Sequence, residues 1–573
     1  MKKNFLFACG LATMLLAGCS DSDNVADGGN SLDPNAKSYL SLRLNLPTTT
    51  GSGSRADQFT NDEFDKGDAK EYQVNDITLV CFNSSDAIVG TVDVTGTYKW
   101  ANGTETGITT QAVLPVQEVN KDTRKVLVLV NKPTDLTLDN KTNFSDFNAA
   151  LSTTVENLIG AGKDDFFMTN SPLSNGKDGV NSLTTVLVNV TPQNTKEAAM
   201  ANQRDIYVER AVGKVSMSVG ADWDAANWTY SITADEGFKD DKIQIVAWTI
   251  DNYNTKMFPV RKYVDQATTW EAFTSNPGRF VGALKYYGNQ YFSIDPSKRE
   301  TEGKLEGRTY WCEDPNYHGN TELHTSTANL TDAADVATME KPQYCLENTF
   351  NVKNMSLKNT TRVIIKALYT PKGFEANKTW FRLGNSGKAY SLASLEEKIN
   401  QELGLSDANI VKLKTDYTFA QGKQDFAEAM FQAATPGTNA AITTDQVTKL
   451  NKQLSKLIAF IDGYCYYTTL VKHFGSEFTP WGGDASAPKV DGTTFHNYVT
   501  SYKGADDETR YLGRYGIVRN NWYQLVLNKV TAPGAASVPD VETDDTSDDE
   551  QKYYLQATVK IMDWAVRKQS VDL

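Results

Sequence analysis

The chain has 573 residues, which is too many for a single hydrophobic core, so we expect two or more domains. Its formal net charge of −14 at pH 7 argues against a nucleic-acid partner, because phosphate binding needs clustered Lys and Arg. The composition includes 26 Tyr, 24 Phe and 39 Gly, which favours strands and turns over long helices.

The N-terminal segment has the pattern of a secretory signal. Lys2 and Lys3 precede a short apolar run that ends in Leu16-Ala17-Gly18-Cys19. The last four residues resemble a bacterial lipobox, in which the chain is cut before the cysteine and the cysteine is lipidated. We therefore expect residues 1–18 to be removed and Cys19 to anchor the precursor to a membrane. The alternative is an ordinary signal with a chance cysteine. No later segment is apolar enough to cross a membrane.

The first predicted strand follows a polar tether at residues 20–37. From residue 38 to 46, every second residue is a leucine, and this period of two predicts a strand with one buried face. The residues on that face are Leu40, Leu42, Leu44 and Leu46.

A lone basic residue follows this strand. Pro47 ends the strand, and residues 48–54 are only Thr, Gly and Ser. Arg55 lies directly after these small residues, so the bond between Arg55 and Ala56 is an accessible target for an Arg-specific protease.

Short apolar runs separated by turn residues continue along the chain, and this spacing is typical of an all-β sandwich. A second series of runs starts near Trp223, which places a domain boundary near residue 220. We therefore expect domains at residues 56–220 and 221–539. The predicted strands lie at residues 77–82, 126–130, 186–190, 207–219, 243–250, 362–369, 516–530 and 553–561.

One region has helical instead of strand periodicity. Apolar residues spaced by three and four predict two amphipathic helices, and Ser394 with Glu397 resembles a capping box. We expect a helical insertion at about 390–475, and two heptads are too few to favour a coiled coil. The apolar positions are Leu392, Leu395, Ile399 and Leu403, then Val447, Leu450, Leu454, Leu457 and Ile461.

The C-terminal region begins with an acidic run. The dense charges at residues 540–550 predict an extended linker, which we place at residues 540–552. The segment that follows is residues 553–573, and apolar residues alternate with polar ones from 553 to 561, which predicts a strand with an apolar face on a flexible tether. Its own domain need not be the surface against which it packs. The apolar face includes Leu555, Ala557, Val559 and Ile561.

Four cysteines remain after Cys19. Cys312 and Cys345 flank a polar loop and are the best candidates for a disulfide in an exported chain. Cys81 and Cys465 lie in apolar runs, which predicts buried free thiols. The spacings match no zinc template, so we expect no metal and no cofactor.

The sequence contains no recognisable catalytic motif, such as a nucleophile elbow, a Walker loop or a His-Glu-x-x-His zinc motif. The loop after Cys312 contains acidic residues with His318 and His324, and a solvated surface loop is favoured over a metal site. Two catalytic carboxylates far apart in sequence, as in glycosidases, would leave no motif. We expect a protein that is not an enzyme.

Several stretches together resemble the type V fimbrillins of Bacteroidota, in particular the Mfa-like shaft subunits of minor fimbriae. The resemblance runs the whole length of the chain. The matching stretches are Cys19-Ser20-Asp21-Ser22-Asp23, Gly53-Ser54-Arg55-Ala56 after the leucine strand, Tyr207-Val208-Glu209-Arg210-Ala211-Val212-Gly213-Lys214-Val215, Val518-Arg519-Asn520-Asn521-Trp522-Tyr523 and the terminal Trp564 to Leu573.

This resemblance implies two transthyretin-like Greek-key β-sandwich domains, with the helical insertion in the second. It also implies a lipidated propeptide, residues 19–55, that is cut after Arg55. The leucine strand then leaves, and the C-terminal donor strand of another subunit fills the vacated groove. The implied partners are other copies in a head-to-tail polymer, accessory tip or anchor subunits, and host or bacterial surface ligands.

The expected location is a cell-surface fimbrium, with the precursor held in the outer membrane by its lipid. The alternative is a monomeric, lipid-anchored surface protein that binds a glycan or a host protein. The two differ in what becomes of residues 20–55 and of the last strand.

Overall fold

The structure of the protein is a computed structural model. It describes residues 37–45, 64–65, 67–94, 100–101, 111–160, 165–171, 186–233, 237–262, 312–319, 323–324, 330–350, 354, 356–384, 386–406, 409–433, 441–471, 473, 515–541 and 564–572. In these residues strands dominate, most sheets are antiparallel and the helices are short, so the all-β expectation is confirmed as a mostly β-sheet protein with a few helices. None of the described helices combines the length and apolar character that a membrane span requires.

The described residues of the first part of the chain form mostly strands, with three short helices. Its helices are α1 (Phe144–Phe147), α2 (Val155–Ile159) and α3 (Lys196–Ala201). A 3-10 turn spans Ala69–Tyr72. Its strands are β1 (Ser38–Leu40), β2 (Leu42–Asn45), β3 (Phe64–Asp65), β4 (Ile77–Phe82), β5 (Ile88–Asp93), β6 (Trp100–Ala101), β7 (Gln111–Val113), β8 (Gln117–Val119), β9 (Lys125–Val130), β10 (Leu151–Ser152), β11 (Met168–Asn170), β12 (Val188–Asn189) and β13 (Arg204–Arg210).

One large sheet organises this part, with the strand order β5-β4-β9-β11-β13-β2-β7-β6 and with β12 also on β9. Every neighbouring pair is antiparallel except β13 and β2, which are parallel. Both β4 and β9 are continuous apolar runs, and every residue of β4 is buried. Such runs are typical of central strands with both faces covered. Together with the leucines of β1 and β2 they form the first core.

The second part begins at Val212, because only Ala211 separates the end of β13 from the next strand. It contains the helix α4 (Val336–Met339) and a 3-10 turn at Leu357–Asn359. Its strands are β14 (Val212–Val219), β15 (Thr229–Ser231), β16 (Lys242–Asp251), β17 (Tyr253–Asn254), β18 (Lys256–Met257), β19 (Leu323–His324), β20 (Gln343–Leu346) and β21 (Arg362–Thr370).

An insertion follows β21 and has a hydrophobic core of its own. It is built on the three-stranded sheet β22-β26-β24 and the two-stranded sheet β23-β25, and a 3-10 turn spans Glu428–Met430. Its elements are β22 (Trp380–Leu383), α5 (Leu392–Leu403), β23 (Val411–Leu413), β24 (Gly422–Gln424), β25 (Phe431–Ala433), α6 (Thr444–Gln453) and β26 (Leu457–Phe460).

After a 3-10 turn at Ile461–Gly463, the chain returns to the second part through β27 (Tyr464–Leu470), β28 (Asn521–Lys529) and β29 (Trp564–Asp572). Two sheets cover the second core, with orders β20-β14-β28-β29-β3 and β15-β16-β21-β27. Alternate residues of β28 are buried, as expected for a strand with one face on a core. The core draws Val215 and Met217 from β14, so the second packing unit starts a few residues before the predicted boundary at 220.

Four of the eight predicted runs are confirmed closely, and two are shorter than predicted, since 186–190 contains only β12 at Val188–Asn189 and 516–530 contains β28 at Asn521–Lys529. The run at 77–82 is β4, 126–130 is β9, 243–250 is β16 and 362–369 is β21. The long run at 207–219 is interrupted at Ala211, where the chain passes from the first sheet to the second. The run at 553–561 lies outside the described residues.

The predicted helices are correct in position but wrong in two details. Ser391, not Ser394, is the N-cap of α5, and its side chain accepts a hydrogen bond from the Ser394 amide. The second helix ends by Leu454 because Ser455 adopts a left-handed backbone with φ of 60°. Leu457 therefore belongs to β26, and its periodic spacing with the helix was coincidental.

A stacked aromatic pair joins the insertion to the second core. Trp380 and Phe460 face each other across β22 and β26, with ring centroids 3.9 Å apart and an interplanar angle of 2°. Both side chains are buried, and the indole Nε1 of Trp380 has no hydrogen-bond partner. The contribution of Trp380 is therefore apolar packing alone.

We expect Trp380→Ala to lower the free energy of unfolding by about 3–5 kcal/mol, because it leaves a large cavity under Phe460. Trp380→Phe should cost much less, since it keeps a stacked ring and loses no hydrogen bond. Met200→Ala is the control, because Met200 is 65% exposed. Denaturant unfolding measures all three, and equal losses for the Ala and Phe variants would contradict the packing account.

Candidate assembly site

The predicted released strand is one strand in the sequence but is interrupted at Ser41: β1 pairs with β8 in a two-stranded sheet, and β2 lies inside the first sheet. β2 is parallel to β13, with Leu44 opposite Ile206, and antiparallel to β7, with Leu44 opposite Ala112. Both edges of β2 are therefore paired. Removing it would separate β13 from β7 and leave two unpaired strand edges in the middle of the sheet.

The leucine face of this strand is buried as the alternation predicts. Leu40, Leu42 and Leu44 are 4%, 1% and 0% exposed and all belong to the first core. Ser41 departs from the expected polar face, because it is also buried and its hydroxyl accepts a hydrogen bond from Gln203. Leu46 lies outside the described residues. Release of the strand stays a prediction.

The burial implies that apolar contacts contribute substantially to the free energy that binds the strand. Each buried leucine contributes about 1.5–3 kcal/mol, so the three together contribute on the order of 5–9 kcal/mol before the entropy of ordering the chain. Backbone bonds add to this, since the amide of Leu114 donates to Leu42 and that of Arg204 donates to Ser41. A replacement strand would need the same alternation of apolar side chains to restore these contacts.

The start of the segment is also paired on both edges. β1 pairs with β8, and Tyr39 exchanges two backbone hydrogen bonds with Gln193 at 2.7 and 2.8 Å. The ion pair between Lys37 and Glu118 is exposed, and such pairs contribute little. Peeling the segment out would therefore break backbone pairing in β1 as well as in β2.

The chain between β2 and β3 connects two different sheets. β2 ends at Asn45 in the first sheet, and β3 begins at Phe64 beside β29 in the other. Arg55 and Ala56 fall on this connection but lie outside the described residues, as does Cys19. The predicted cut would therefore separate a strand of the first sheet from a strand of the second.

The retained side of this connection is fixed by Glu71. Its carboxylate is buried, and it lies 2.8 Å from the Nζ of Lys214 on β14 and accepts a hydrogen bond from the hydroxyl of Tyr344 on β20. Its carbonyl accepts a 2.6 Å bond from Arg210 on β13. Glu71 therefore joins the first retained segment to strands of both sheets.

The charges around Glu71 stabilise its ionised form. Burial alone would raise the pKa of this carboxyl, but the positive charges of Lys214 and Arg210 outweigh it and the pKa is lowered from 4.5. The ammonium of Lys214 also lies 3.8 Å from the ring centroid of Trp522 on β28. A buried charge cluster of this kind is costly to break from one side.

A second buried charge cluster lies close to this junction. Arg261 binds both carboxylate oxygens of Glu209, at 2.7 and 2.5 Å, and Arg519 binds Glu347 at 3.0 Å. The two pairs are connected, because Arg261 also donates to the carbonyl of Arg519. Glu209 belongs to β13 and Glu347 follows β20, so these pairs tie the first sheet to the second part of the chain.

The predicted bridge between Cys312 and Cys345 is not formed, and this expectation is corrected. Both thiols are free and buried, and they have different surroundings. Cys312 lies 3.8 Å from the Nη1 of Arg261, whereas Cys345 points into the second core from β20. Burial raises the pKa of both thiols to about 12, so neither is reactive near neutral pH. The free, buried states predicted for Cys81 and Cys465 are confirmed.

The loop after Cys312 is less solvated than the sequence predicts. Asp314 is 2% exposed and accepts backbone hydrogen bonds from Asn316 and Thr349. Burial raises the pKa of Asp314 to about 8. His318, in contrast, has 72% of its side chain exposed. Within the described residues, His, Cys, Asp and Glu form no group of three that could hold a metal ion.

The C-terminal segment differs from the expectation of a strand without a place in its own domain. Residues 564–572 form β29, which pairs in parallel with β28 along most of its length and meets β3 at Trp564 and Ala565. The predicted donor residues Leu555, Ala557, Val559 and Ile561 lie outside the described residues. In the single chain, the end of the segment is therefore part of its own sheet.

The two charge clusters were not recognised in the sequence, although a signal was present. Glu209, Arg210 and Lys214 interrupt an otherwise apolar run at 207–219, and charged residues within a buried strand require partners. The partners Glu71, Arg261, Glu347 and Arg519 are distant in sequence, so no local pattern could identify them.

Two family models match the chain. The model for the "Major fimbrial subunit protein (FimA)" matches residues 38–210, which contain β1, β2 and the rest of the first sheet. The model for "Major fimbrial subunit protein type IV, Fimbrillin, C-terminal" matches residues 490–570, which contain β28 and most of β29. No curated protein matches the chain.

Solved structures with fimbrial and adhesion names show low similarity. A fimbrilin (fimA) from Porphyromonas gingivalis W83 is 12% identical, with 93% of this chain and 96% of that chain covered and a TM-score of 0.33. A putative cell adhesion protein from Parabacteroides distasonis ATCC 8503 is 14% identical, with 58% and 75% covered and a TM-score of 0.28. The tip fimbrial protein Mfa3 from Porphyromonas gingivalis is 11% identical, with 59% and 79% covered and a TM-score of 0.25.

We expect Glu71→Gln to lower the free energy of unfolding by about 3–5 kcal/mol at pH 7, because it removes the carboxylate that lies 2.8 Å from the buried ammonium of Lys214. The pKa of Glu71 is lowered, so its contribution is present above 4.5 and is lost as the pH falls through the folded value. The difference between the variant and the wild-type protein should therefore shrink in acid. Denaturant unfolding at pH 7 and pH 3 measures it, and a pH-independent difference would contradict this account.

Proposed function

We propose that this chain is a shaft subunit that polymerises by donor-strand exchange. It belongs to the Bacteroidetes type V fimbrillin family of FimA-like and Mfa-like fimbrial subunits, which are structural and not enzymatic. The observation that carries this proposal is the position of β2. Its leucine face is buried in the first core and both of its edges are paired, so its removal would leave a groove shaped for another strand.

In this proposal each of the first two cores belongs to a transthyretin-like Greek-key β-sandwich domain. The precursor is a lipoprotein anchored in the outer membrane through Cys19, and its propeptide spans residues 19–55. One lipidated cysteine with its acyl chains is a reversible anchor compared with a membrane span. Cutting the chain after Arg55 therefore removes the anchor and frees β1 and β2 together.

The incoming strand belongs to the C-terminal segment of another copy. The alternating face of Leu555, Ala557, Val559 and Ile561 matches the alternation of the leucines that leave, so it can occupy the same side of the groove. The acidic linker, residues 540–552, gives this segment reach. A chain of such contacts produces a head-to-tail polymer at the cell surface, completed by tip and anchor subunits and presented to host or bacterial ligands.

The pairing of β29 with β28 has two interpretations. In the proposed mechanism it is the resting position of the C-terminal segment in a single chain, and donation removes the segment from its own sheet. The same pairing favours the second candidate function, in which the segment stays in place and the protein is a monomeric, lipid-anchored binder of a glycan or host protein.

We expect Arg55→Ala to leave β2 in the sheet and to give folded monomers without fibres, because the connection between β2 and β3 stays intact. Arg124→Ala is the control, since Arg124 is exposed but lies directly before β9 in the first sheet and not between β2 and β3. Electron microscopy and N-terminal sequencing of surface material report the outcome. Normal fibres from the Arg55→Ala variant would refute the proposed maturation.

We expect Val559→Asp or Ile561→Asp to abolish oligomer ladders in unboiled gels, because each places an unpaired charge in an apolar groove. Lys560→Asp should have a much smaller effect, since it lies on the opposite face of the strand. Deleting residues 553–573 should likewise give a folded, processed monomer. If the deletion unfolds the monomer, the segment is required for the stability of its own domain and the monomeric binder is favoured.

A further inference from the structure

The chain between β28 and the acidic linker is held tightly although it contains no strand or helix. We call residues 530–541 the strap. The hydroxyl of Tyr467 donates to the carbonyl of Ala532 at 2.9 Å, and Tyr466 and Ala535 exchange two backbone hydrogen bonds of 2.8 Å. Gln421 of the insertion donates to the carbonyl of Ala536. The strap is therefore fixed to β27 and to the insertion before it reaches the linker.

A buried arginine closes the end of the strap. Arg362 donates to two successive carbonyls, those of Pro539 at 2.6 Å and Asp540 at 3.0 Å. Its Nε binds the carboxylate of Asp251 at 2.7 Å, and Asp251 is 1% exposed. Asp251 and Arg362 face each other across β16 and β21, so the carboxylate orients the guanidinium fork toward the strap. The acidic run begins at Asp540, so Arg362 marks the point where the linker leaves the folded chain.

Close backbone packing at Gly534 supports the same arrangement. A Cβ at this position would overlap the carbonyl oxygen of Tyr466 and lie 3.1 Å from the ring of Tyr467. The strap therefore approaches β27 more closely than a chain with any side chain at 534 could. Gly90 provides a contrast, because a Cβ there would have no heavy atom within 4 Å.

We propose that the strap is the mechanical anchor of the C-terminal extension, and that Arg362 is the positioning residue that fixes its point of exit. This inference rests on the proposed function, in which a second copy of this chain holds the extension. The pull of that copy passes through the linker to Asp540 first. It meets the Arg362 fork and the Tyr466–Ala535 pair before it reaches β28, so the second core is shielded from the load.

A surface loop with no mechanical role would not need these features. A tail that only has to be soluble can leave a strand at any exposed residue, and a loop can satisfy its carbonyls with water. Here a buried Asp–Arg pair, which is costly to desolvate, serves carbonyls of an irregular segment. The arrangement is explained if the linker must leave the second part at a fixed residue and if its attachment there must resist a pulling force.

The test pulls single full-length monomers between a handle at the N-terminus and a handle at residue 552 in the acidic linker, because a handle at the C-terminus would load β29 and then β28 before the strap. Release of residues 531–541 should lengthen the chain by roughly 35–40 Å, from about 3.3–3.6 Å per residue. Arg362→Lys keeps a positive charge beside Asp251 but loses the fork, and Gly534→Ala displaces the backbone without touching the ion pair. Gly90→Ala is the matched control. Hydrogen exchange at the Ala535 amide, which donates to Tyr466, reports strap opening without force.

We expect the step of this length to occur at lower force in Arg362→Lys and Gly534→Ala, with exchange at Ala535 roughly tenfold faster or more. Their oligomer ladders should dissociate at lower temperature, and Gly90→Ala should behave like the wild-type protein. A missing step, or a step and ladders unchanged in both variants, would overturn the anchor. If wild-type chains show the step but form no polymer, the anchor stands and the proposed function fails instead.

Discussion

The first sheet depends on the burial of one short strand. β2 occupies the gap between β13 and β7 with a leucine on each inward position, and both neighbours depend on it for backbone pairing. A sheet with such a strand is complete only while the strand is present. The connection after β2 leads to β3 in another sheet. One cut in that connection would therefore leave β2 without a covalent link to the chain that follows it. Folding of the precursor and assembly of the polymer then use the same groove in succession.

The charge clusters between the two parts complement this exchangeable strand. Glu71, with Lys214 and Arg210, fixes the first retained segment, and the pairs Glu209–Arg261 and Glu347–Arg519 tie β13 to the second part. β13 is also one wall of the groove. The wall is therefore held by contacts that do not involve β2, and in the proposed exchange these contacts would keep the site intact when the strand leaves. Buried ion pairs add little net stability compared with apolar packing, so their value here is that they specify one arrangement of the two sheets.

The sequence predicts the elements better than it predicts their connections. The leucine alternation identifies β1 and β2, and continuous apolar runs identify β4, β9 and β16, because burial on one or both faces is a local property of the pattern. Which strands neighbour β2 was not predictable, since β13 lies far away in sequence. The partners of Glu71 and Arg362 were missed for the same reason. The predicted disulfide was wrong because two cysteines around one loop have no required spatial relation, and Cys345 points into a core that Cys312 does not reach.

The most direct test of strand exchange is a cross-link across the groove in polymers assembled from a mixture of isotopically light and heavy subunits. Ile206→Cys places a thiol on β13 opposite Leu44, and Val559→Cys places one on the proposed donor strand. Strand exchange predicts disulfides between residues 206 and 559 that join light and heavy chains, formed only after the chain has been cut at Arg55. Disulfides found only within single chains, or polymers in which residue 206 is still covered by Leu44, would contradict the account.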